Sequence, residues 1–255
     1  MAEGPAADHV IGPHGTPPGV SWGQTARTGG ASGAPYASWN LAAHVGDEAV
    51  SLRENWRRLA RRTGWSRDGL ATCRQVHGRE IVTVERGGHH DVAADALVSA
   101  TRGVAVGVFT ADCVPVLLAA PTRGVVAAAH CGWRGAAAGL ASRVIDRLVS
   151  EYGCEPTDLH VWLGASIAQR NYEVGGEVAA RFGGSRTEPT GTRGKYQLDV
   201  AGAVADELLG AGVPRDRLER CALDTYGDAG SLFSYRRDGA ATGRMLSYVG
   251  LPGDR

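Results

Sequence analysis

An excess of charge of either sign is missing from this sequence. Lys and Arg together number 27 and Asp and Glu together also number 27 in 255 residues. No basic field exists to gather a phosphate backbone, and no polybasic run exists to hold a membrane surface. Nucleic acid and membranes are therefore not expected partners. Long apolar runs are missing too, since nowhere do roughly eighteen apolar residues follow one another, as a membrane-crossing helix requires. The opening residues MAEGPAADHVIGPHGTPPGV carry neither a basic n-region nor an apolar h-region, and predict a soluble, cytoplasmic protein. Paired cysteines are absent as well: Cys73, Cys113, Cys131, Cys154 and Cys221 are odd in number and scattered. That pattern fits reduced thiols rather than a disulfide framework and leaves at least one thiol free or metal-bound.

What is present suffices for one core. A chain of this length with 43% hydrophobic residues predicts a single catalytic domain, placed at residues 19–255. Residues 1–18 are rich in Gly, Pro and Ala without apolar periodicity and predict a flexible N-terminal tail. DEAVSLRENWRRLARRTG, from Asp47, predicts a helix capped by Asp47, with Val50, Leu52, Trp56 and Leu59 on or near one face and Gly64 as its stop. From Glu80 the rhythm changes. EIVTVE, ADALVSA, GVAVGVFT, VPVLLAA, GVVAAAH and, later, DLHVWLGA are short, β-rich and punctuated, which predicts buried strands. AAAGLASRVIDRLVSEYG sets Leu140, Val144 and Leu148 at four-residue intervals before Gly153. LDVAGAVADELLGAGV predicts a further helix capped by Asp199, with Leu208 and Leu209 inward. Strand runs broken by a few helices, without regular alternation, predict an α+β fold of mixed sheets with flanking helices. His89 and His90 fall in a stretch read as a solvated loop.

Three polar side chains interrupt otherwise apolar or tightly turned sequence at strand edges: His77 in RQVHGRE, Cys113 in FTADCVPVLL and His130 in VVAAAHCGWRG. Imidazole nitrogen and thiolate sulfur suit zinc in tetrahedral geometry, and three protein donors leave a fourth position for chemistry. Spacing alone is not specific, because no two of the three form a short metal-binding pair. Two satisfied core histidines and a small buried cysteine would look the same.

The stretches QVHG, ADALVS, TADCVPVLL, AAHCGWRG, NYEVGGEV and FSYRRDGAATGR occur in the order found in the YfiH-like family, also called the laccase-domain or multicopper polyphenol oxidase family. The chain resembles that family from about Val20 to Leu251. The resemblance implies a compact α/β sandwich. It also implies a catalytic zinc held by the histidine of QVHG, the cysteine of TADC and the histidine of AHxGWRG, here His77, Cys113 and His130. It further implies phosphorolysis of adenosine, inosine and methylthioadenosine to base and sugar 1-phosphate, with deamination of adenosine. Two departures stand out: Cys131 where Ala is common, and ASIAQRNYEVG where Pro-x-Ile-Gly-Pro followed by cysteines is frequent. Strand alternation predicts that Cys131 faces away from the metal.

A phosphorolysis site must also hold phosphate, and Arg134, directly after the His130 loop, is the leading candidate, with Arg27 and Arg244 farther off. Asn40 and Gln75 carry neutral amides suited to a ribose or base. Asp112 is expected either to serve the site, by orienting a metal ligand or acting on a proton, or only to close the strand-end turn. A metal-free reading makes Cys113 a nucleophile with His130 as its base, in a hydrolase or amidase. A laccase-type copper cluster needs about ten histidines, whereas the chain has 8 and no His-x-His pair, so only a single copper substituting for zinc, with weak oxidase activity, is compatible. A small-molecule nucleoside and phosphate are the expected partners, and a monomer the expected state.

Overall fold

The computed structural model describes residues 9–253. Its strands begin with β1 (Val10–Ile11), β2 (Ser21–Thr25), β3 (Leu70–Arg74), β4 (Ile81–Thr83) and β5 (Gly88–Ala93). Next come β6 (Ala96–Ser99), β7 (Ala105–Thr110), β8 (Val114–Ala120), β9 (Val125–Cys131) and β10 (His160–Leu163). Short strands β11 (Glu173–Gly175), β12 (Thr187–Pro189), β13 (Lys195–Leu198) and β14 (Leu218–Arg220) precede the closing β15 (Met245–Gly250). The helices are α1 (Ala49–Thr63), α2 (Trp133–Ala137), α3 (Leu140–Tyr152), α4 (Gly176–Ala179), α5 (Val200–Gly210) and α6 (Tyr235–Asp238).

Two six-stranded mixed sheets, ordered β1-β2-β15-β7-β3-β5 and β14-β10-β8-β9-β6-β4, make the body of the molecule, with a small third sheet β11-β13-β12 beside them. Burial explains how they stack. Val106, Val108 and Val249 of the first sheet share one apolar cluster with Leu97, Leu117, Val126, Ala128 and Trp162 of the second, so the two sheets face each other. The alternate residues of the second sheet, Val116, Leu118, Ala127 and Ala129, pack instead with Leu140, Val144 and Leu148 of α3 and Val204 and Leu208 of α5. On the far side of the first sheet, Leu59 of α1 packs with Trp39, Leu70 and Leu246. The layers are thus helix, sheet, sheet, helices. Both faces of β8 and β9 are covered, which is why each reads as an unbroken apolar run. The expected mixed-sheet α+β class and the sandwich are both observed.

Local expectations mostly hold, and the exceptions have physical reasons. Leu140, Val144 and Leu148 are fully buried, each such side chain contributing about 1.5–3 kcal/mol. Asp199 caps α5 by accepting from Gly202 N at 2.8 Å, but only Leu208 is fully buried there, with Leu209 partly exposed. Asp47 does not cap α1. Glu48 takes that position, while the Asp47 carboxylate accepts from Ser32 Oγ and Asn40 Nδ2. Val50 stands 60% exposed, off the inward face, whereas polar Asn55 is buried and bonded to Ser32 Oγ and the Asn40 carbonyl. Within the expected N-terminal tail, residues 1–8 lie outside the described residues. Of the rest, Val10–Ile11 pairs antiparallel with Gln24 and Thr25 as β1, so the flexible-tail expectation is corrected there: β2 supplies the hydrogen bonds that local composition could not. His89 and His90 lie on β5, parallel to β3, not in a loop. No described helix is long and apolar enough to cross a membrane.

Candidate functional site

Three connections cross from the first sheet to the second, β3 to β4, β5 to β6 and β7 to β8. They carry His77, Asp95 and Cys113 respectively, and they converge where β9 ends at His130. Register explains the meeting. Pro115 of β8 lies opposite His130 and Val114 opposite Cys131, which puts Cys113 at the end of the same ladder. Ala96 of β6 pairs with Ala129, and His130 N donates to the Asp95 carbonyl at 2.7 Å. Alternation along β9 sends Cys131 into the helix-side core with Ala127 and Ala129. It therefore faces away from the cluster, as expected.

The donor atoms of His77, Cys113 and His130 lie within 4.8 Å of one another, and the two imidazoles meet edge to face at 4.8 Å between centroids. Metal bonds of about 2.0–2.3 Å draw such donors somewhat closer. His77 is exposed while His130 is buried, so His77 is the side chain free to close the remainder. Two nitrogens and one sulfur are a donor set that fits zinc.

Behind His130 stands a carboxylate that sequence reasoning did not single out. Asp95, fully buried, accepts from His130 Nδ1 at 2.8 Å. It also accepts from the main-chain amides of Val76, His77 and Gly78 at 3.2, 2.9 and 2.6 Å. One side chain therefore fixes the loop carrying His77 and leaves His130 Nε2 for the cluster. The signal in the sequence was a lone Asp at the head of the apolar strand ALVS. Such a carboxylate is costly to bury unless hydrogen-bonded. Asp112 takes the other of its two expected roles and closes a turn. Its carboxylate accepts from Thr225 Oγ1 and Arg236 N, both at 2.6 Å.

His77 and Asp112 have φ of 58° and 101°, the left-handed region that side chains other than glycine enter at a cost of about 1–3 kcal/mol. Asp95 and the Thr225–Arg236 pair hold these two turns in place, so the strain sits beside the donor atoms. Without an ion, burial would push the Cys113 thiol up, but the charge of His130 and hydrogen bonds from His130 and His77 outweigh it and bring it down to about 6. Burial likewise opposes charge on His130, while the Cys113 charge and the bond to Asp95 raise it to about 9. The two groups favour charge on each other, which prepares the sulfur as the thiolate that ligates a metal, while His130 must give up its Nε2 proton to ligate in turn.

Gly132 keeps the cluster open. A Cβ there would sit 3.0 Å from Cys113 Sγ and 3.1 Å from His77 Cδ2. Gly132→Ala is expected to leave the fold intact and weaken metal binding by about tenfold or more, comparable with a lost supporting contact around a metal. Metal content after dialysis against a graded chelator, with thermal unfolding as the control for folding, checks this.

The residues expected to touch substrate are placed less uniformly. Asn40 is corrected. It is fully buried, its Nδ2 donates to the Ala42 carbonyl and Asp47 Oδ2, and its Oδ1 accepts from the amides of Ala42 and Arg244. No capacity remains for a ribose. Gln75 pairs its amide with the main chain of Phe109 in two bonds of 2.8 Å, so it holds Phe109 rather than presenting a free amide. Arg27 is spent on the carbonyls of Ala37 and Ala229 and on Asp238. Arg134 is exposed, with its guanidinium 4.4 Å from the ring of Trp133. At Tyr172, burial foremost, then the Cys113 charge, pushes the hydroxyl up to about 12.

Comparison with known proteins agrees with this architecture. The family model described as multi-copper polyphenol oxidoreductase laccase matches residues 21–252. A purine nucleoside phosphorylase of Deinococcus radiodurans is 39% identical over 231 residues, covering 89% of this chain and 88% of that protein. The purine nucleoside phosphorylase YfiH of Escherichia coli is 37% identical, covering 92% and 95%. Among solved structures, YlmD from Geobacillus stearothermophilus superposes with a TM-score of 0.86 at 31% identity, covering 92% of this chain and 93% of that one. The Bacillus licheniformis YfiH protein gives 0.85 at 28% identity, covering 91% and 92%.

Proposed function

Since this chain belongs to the multi-copper polyphenol oxidoreductase laccase family, we propose that it is a zinc-dependent purine nucleoside phosphorylase working as a single catalytic domain. It cleaves adenosine, inosine and methylthioadenosine with phosphate, and also deaminates adenosine. The observation that carries the reading is the convergence of His77, Cys113 and His130, backed by Asp95, in a chain whose relatives are named for phosphorolysis.

Zinc held by those three side chains supplies Lewis acidity, drawing charge from a group beside it. The rest falls to the protein. Phosphorolysis makes a bond between a phosphate oxygen and ribose C1′ and breaks the bond from C1′ to purine N9, the departing base taking up a proton. Holding both reactants in line removes much of the entropic barrier. Asp95 fixes the direction of His130, and Gln75 fixes the main chain of Phe109. Deamination instead adds the oxygen of a water molecule at purine C6 and expels the amino group as ammonia, and requires the same base turned in the pocket.

The direct test incubates purified protein with each nucleoside, with and without phosphate. The expected result is free base and sugar 1-phosphate only when phosphate is present, and inosine from adenosine without it. Absence of base release from all three nucleosides would sink the phosphorylase reading.

The chain Cys113–His130–Asp95 also has the connectivity of nucleophile, base and orienting acid in a cysteine hydrolase. His77, a second imidazole on the same sulfur, has no task in that mechanism and an immediate one in metal binding. Elemental analysis of protein purified without added metal separates the two, and also detects copper in place of zinc.

A further inference from the structure

We propose that Arg244, with His44 beside it, forms the seat of inorganic phosphate at the mouth of the His77–Cys113–His130 cluster. This deepens the phosphorolysis reading and rests on it. The backbone places the arginine: Met245 of β15 pairs with Thr110 of β7, so Arg244 continues that ladder opposite Ala111, two residues before Cys113. Its main-chain amide is fixed by Asn40 Oδ1 at 3.0 Å. The fully occupied Asn40 therefore serves the pocket indirectly.

The guanidinium is the unusual feature. Nη1 donates to the carbonyls of Thr242 and Gly243 at 2.8 and 3.0 Å, which holds the plane. Among the described residues neither Nε nor Nη2 has a hydrogen-bond partner, and no carboxylate lies within 4 Å. The open edge is the one that takes two oxygens of a single phosphate. Asp112 is the acid Arg244 feels from farther away, but both its oxygens are spent on Thr225 and Arg236. A partly buried cation with an open fork and no counter-ion is costly unless an anion completes it.

The other arginines nearby do not match. Arg237 is consumed by the carbonyls of Thr225, Tyr226 and Leu232 and by Asp238. Arg236 has an open edge too, since only its Nη1 is bonded, to the Glu173 carbonyl, but it stands exposed, as does Arg134 on Trp133. His44 sits on the short 3-10 turn Ala43–Val45, its ring edge-on to Phe109 at 6.1 Å and within reach of the Arg244 charge. Its imidazole is held below the ordinary value, first by packing that screens it from water and then by the positive charge of Arg244. Arg244 thus brings the fixed positive charge, and His44, kept from charging, offers a neutral ring N–H.

The experiment measures phosphate in two independent ways on the metal-loaded protein. Titration calorimetry with inorganic phosphate alone reads the anion site without nucleoside chemistry, and KM for phosphate and for inosine reads it during turnover. In Arg244→Gln, phosphate binding is expected to weaken and its KM to rise by about tenfold or more, while KM for inosine and zinc content stay near wild type. Arg244→Lys should recover part of the loss and His44→Gln should show a smaller one. Should Arg244→Gln fail to fold, those two carry the same test. Unchanged phosphate binding in the Arg244 variants overturns the proposal. So does loss of binding in Arg134→Gln instead, or tighter binding of a nucleoside monophosphate than of inorganic phosphate at Arg244. Phosphate binding that depends on Arg244 in a protein without phosphorolysis would overturn the function and leave the anion site standing.

Discussion

Cys113→Ala is expected to yield a folded protein that holds no zinc at stoichiometric loading and has lost phosphorolysis by more than a hundredfold. The reasoning is comparative. Removing a partner that merely supports a metal ligand costs roughly 10–100-fold in affinity or activity, and Cys113 is the sulfur donor itself. It is also the charged one. His130 and His77 together bring its thiol down to about 6, so the sulfur is readily a thiolate, and zinc binding releases the proton that His130 otherwise holds. The fold should survive because the side chain lies at the end of the β8–β9 ladder, outside the apolar clusters that join the layers. Ligand linkage supplies the control. Zinc bound only to the native state raises thermal stability by mass action, so a chelator should lower the melting temperature of the wild type and leave Cys113→Ala unmoved. A variant that kept zinc and full activity would contradict the metal mechanism. A variant without activity, compared with a wild type that contains no metal, would favour the thiol-nucleophile reading.

Asp95→Asn is expected to lower stability by about 3 kcal/mol and metal affinity by roughly 10–100-fold at once. Each carboxylate oxygen accepts two donors: Oδ1 takes His77 N and His130 Nδ1, and Oδ2 takes Val76 N and Gly78 N. An amide can keep only one such oxygen. Whichever way it turns, its NH₂ meets two N–H groups in a place with no water to relieve them. Burial opposes the charge of this carboxylate, yet the bonds from His130, Gly78 and Val76 hold it below the usual range. Asp112→Asn makes the informative contrast. That side chain bonds Thr225 and Arg236 rather than a cluster donor, so it should disturb the 112 turn with a smaller change in metal affinity. Denaturant unfolding of metal-free protein and competitive zinc titration measure the two effects separately. Equal metal affinity in Asp95→Asn and wild type would remove the positioning role.

How far the sequence could be read depended on the range of the forces involved. Alternation along VVAAAHC gives the opposite facing of His130 and Cys131, because the period of two is local geometry. The α3 stripe of Leu140, Val144 and Leu148 was visible for the same reason at a period near four. β5 was not. GHHDVA is polar and exposed at an edge of its sheet, and only pairing with β3 makes it a strand. Asp47 looked like a helix cap by position, but Ser32 and Asn40, brought from elsewhere, claimed its carboxylate.

The site divides in the same way. His77, Cys113 and His130 stood out because a polar group between apolar strands is conspicuous in one dimension, and resemblance gave them their grouping. Their sequence alone determined the donor chemistry: two imidazoles, one thiol, and no histidine pattern for a copper cluster. The tertiary structure decided everything that requires separate connections to meet. Three crossings between two sheets set Asp95 behind His130, assigned Asn40 and Gln75 to holding backbone, and left Nε and Nη2 of Arg244 without a protein partner among the described residues. Hydrogen bonds and charges act across a few ångströms of space regardless of chain separation, and no local pattern records which residues will share that space.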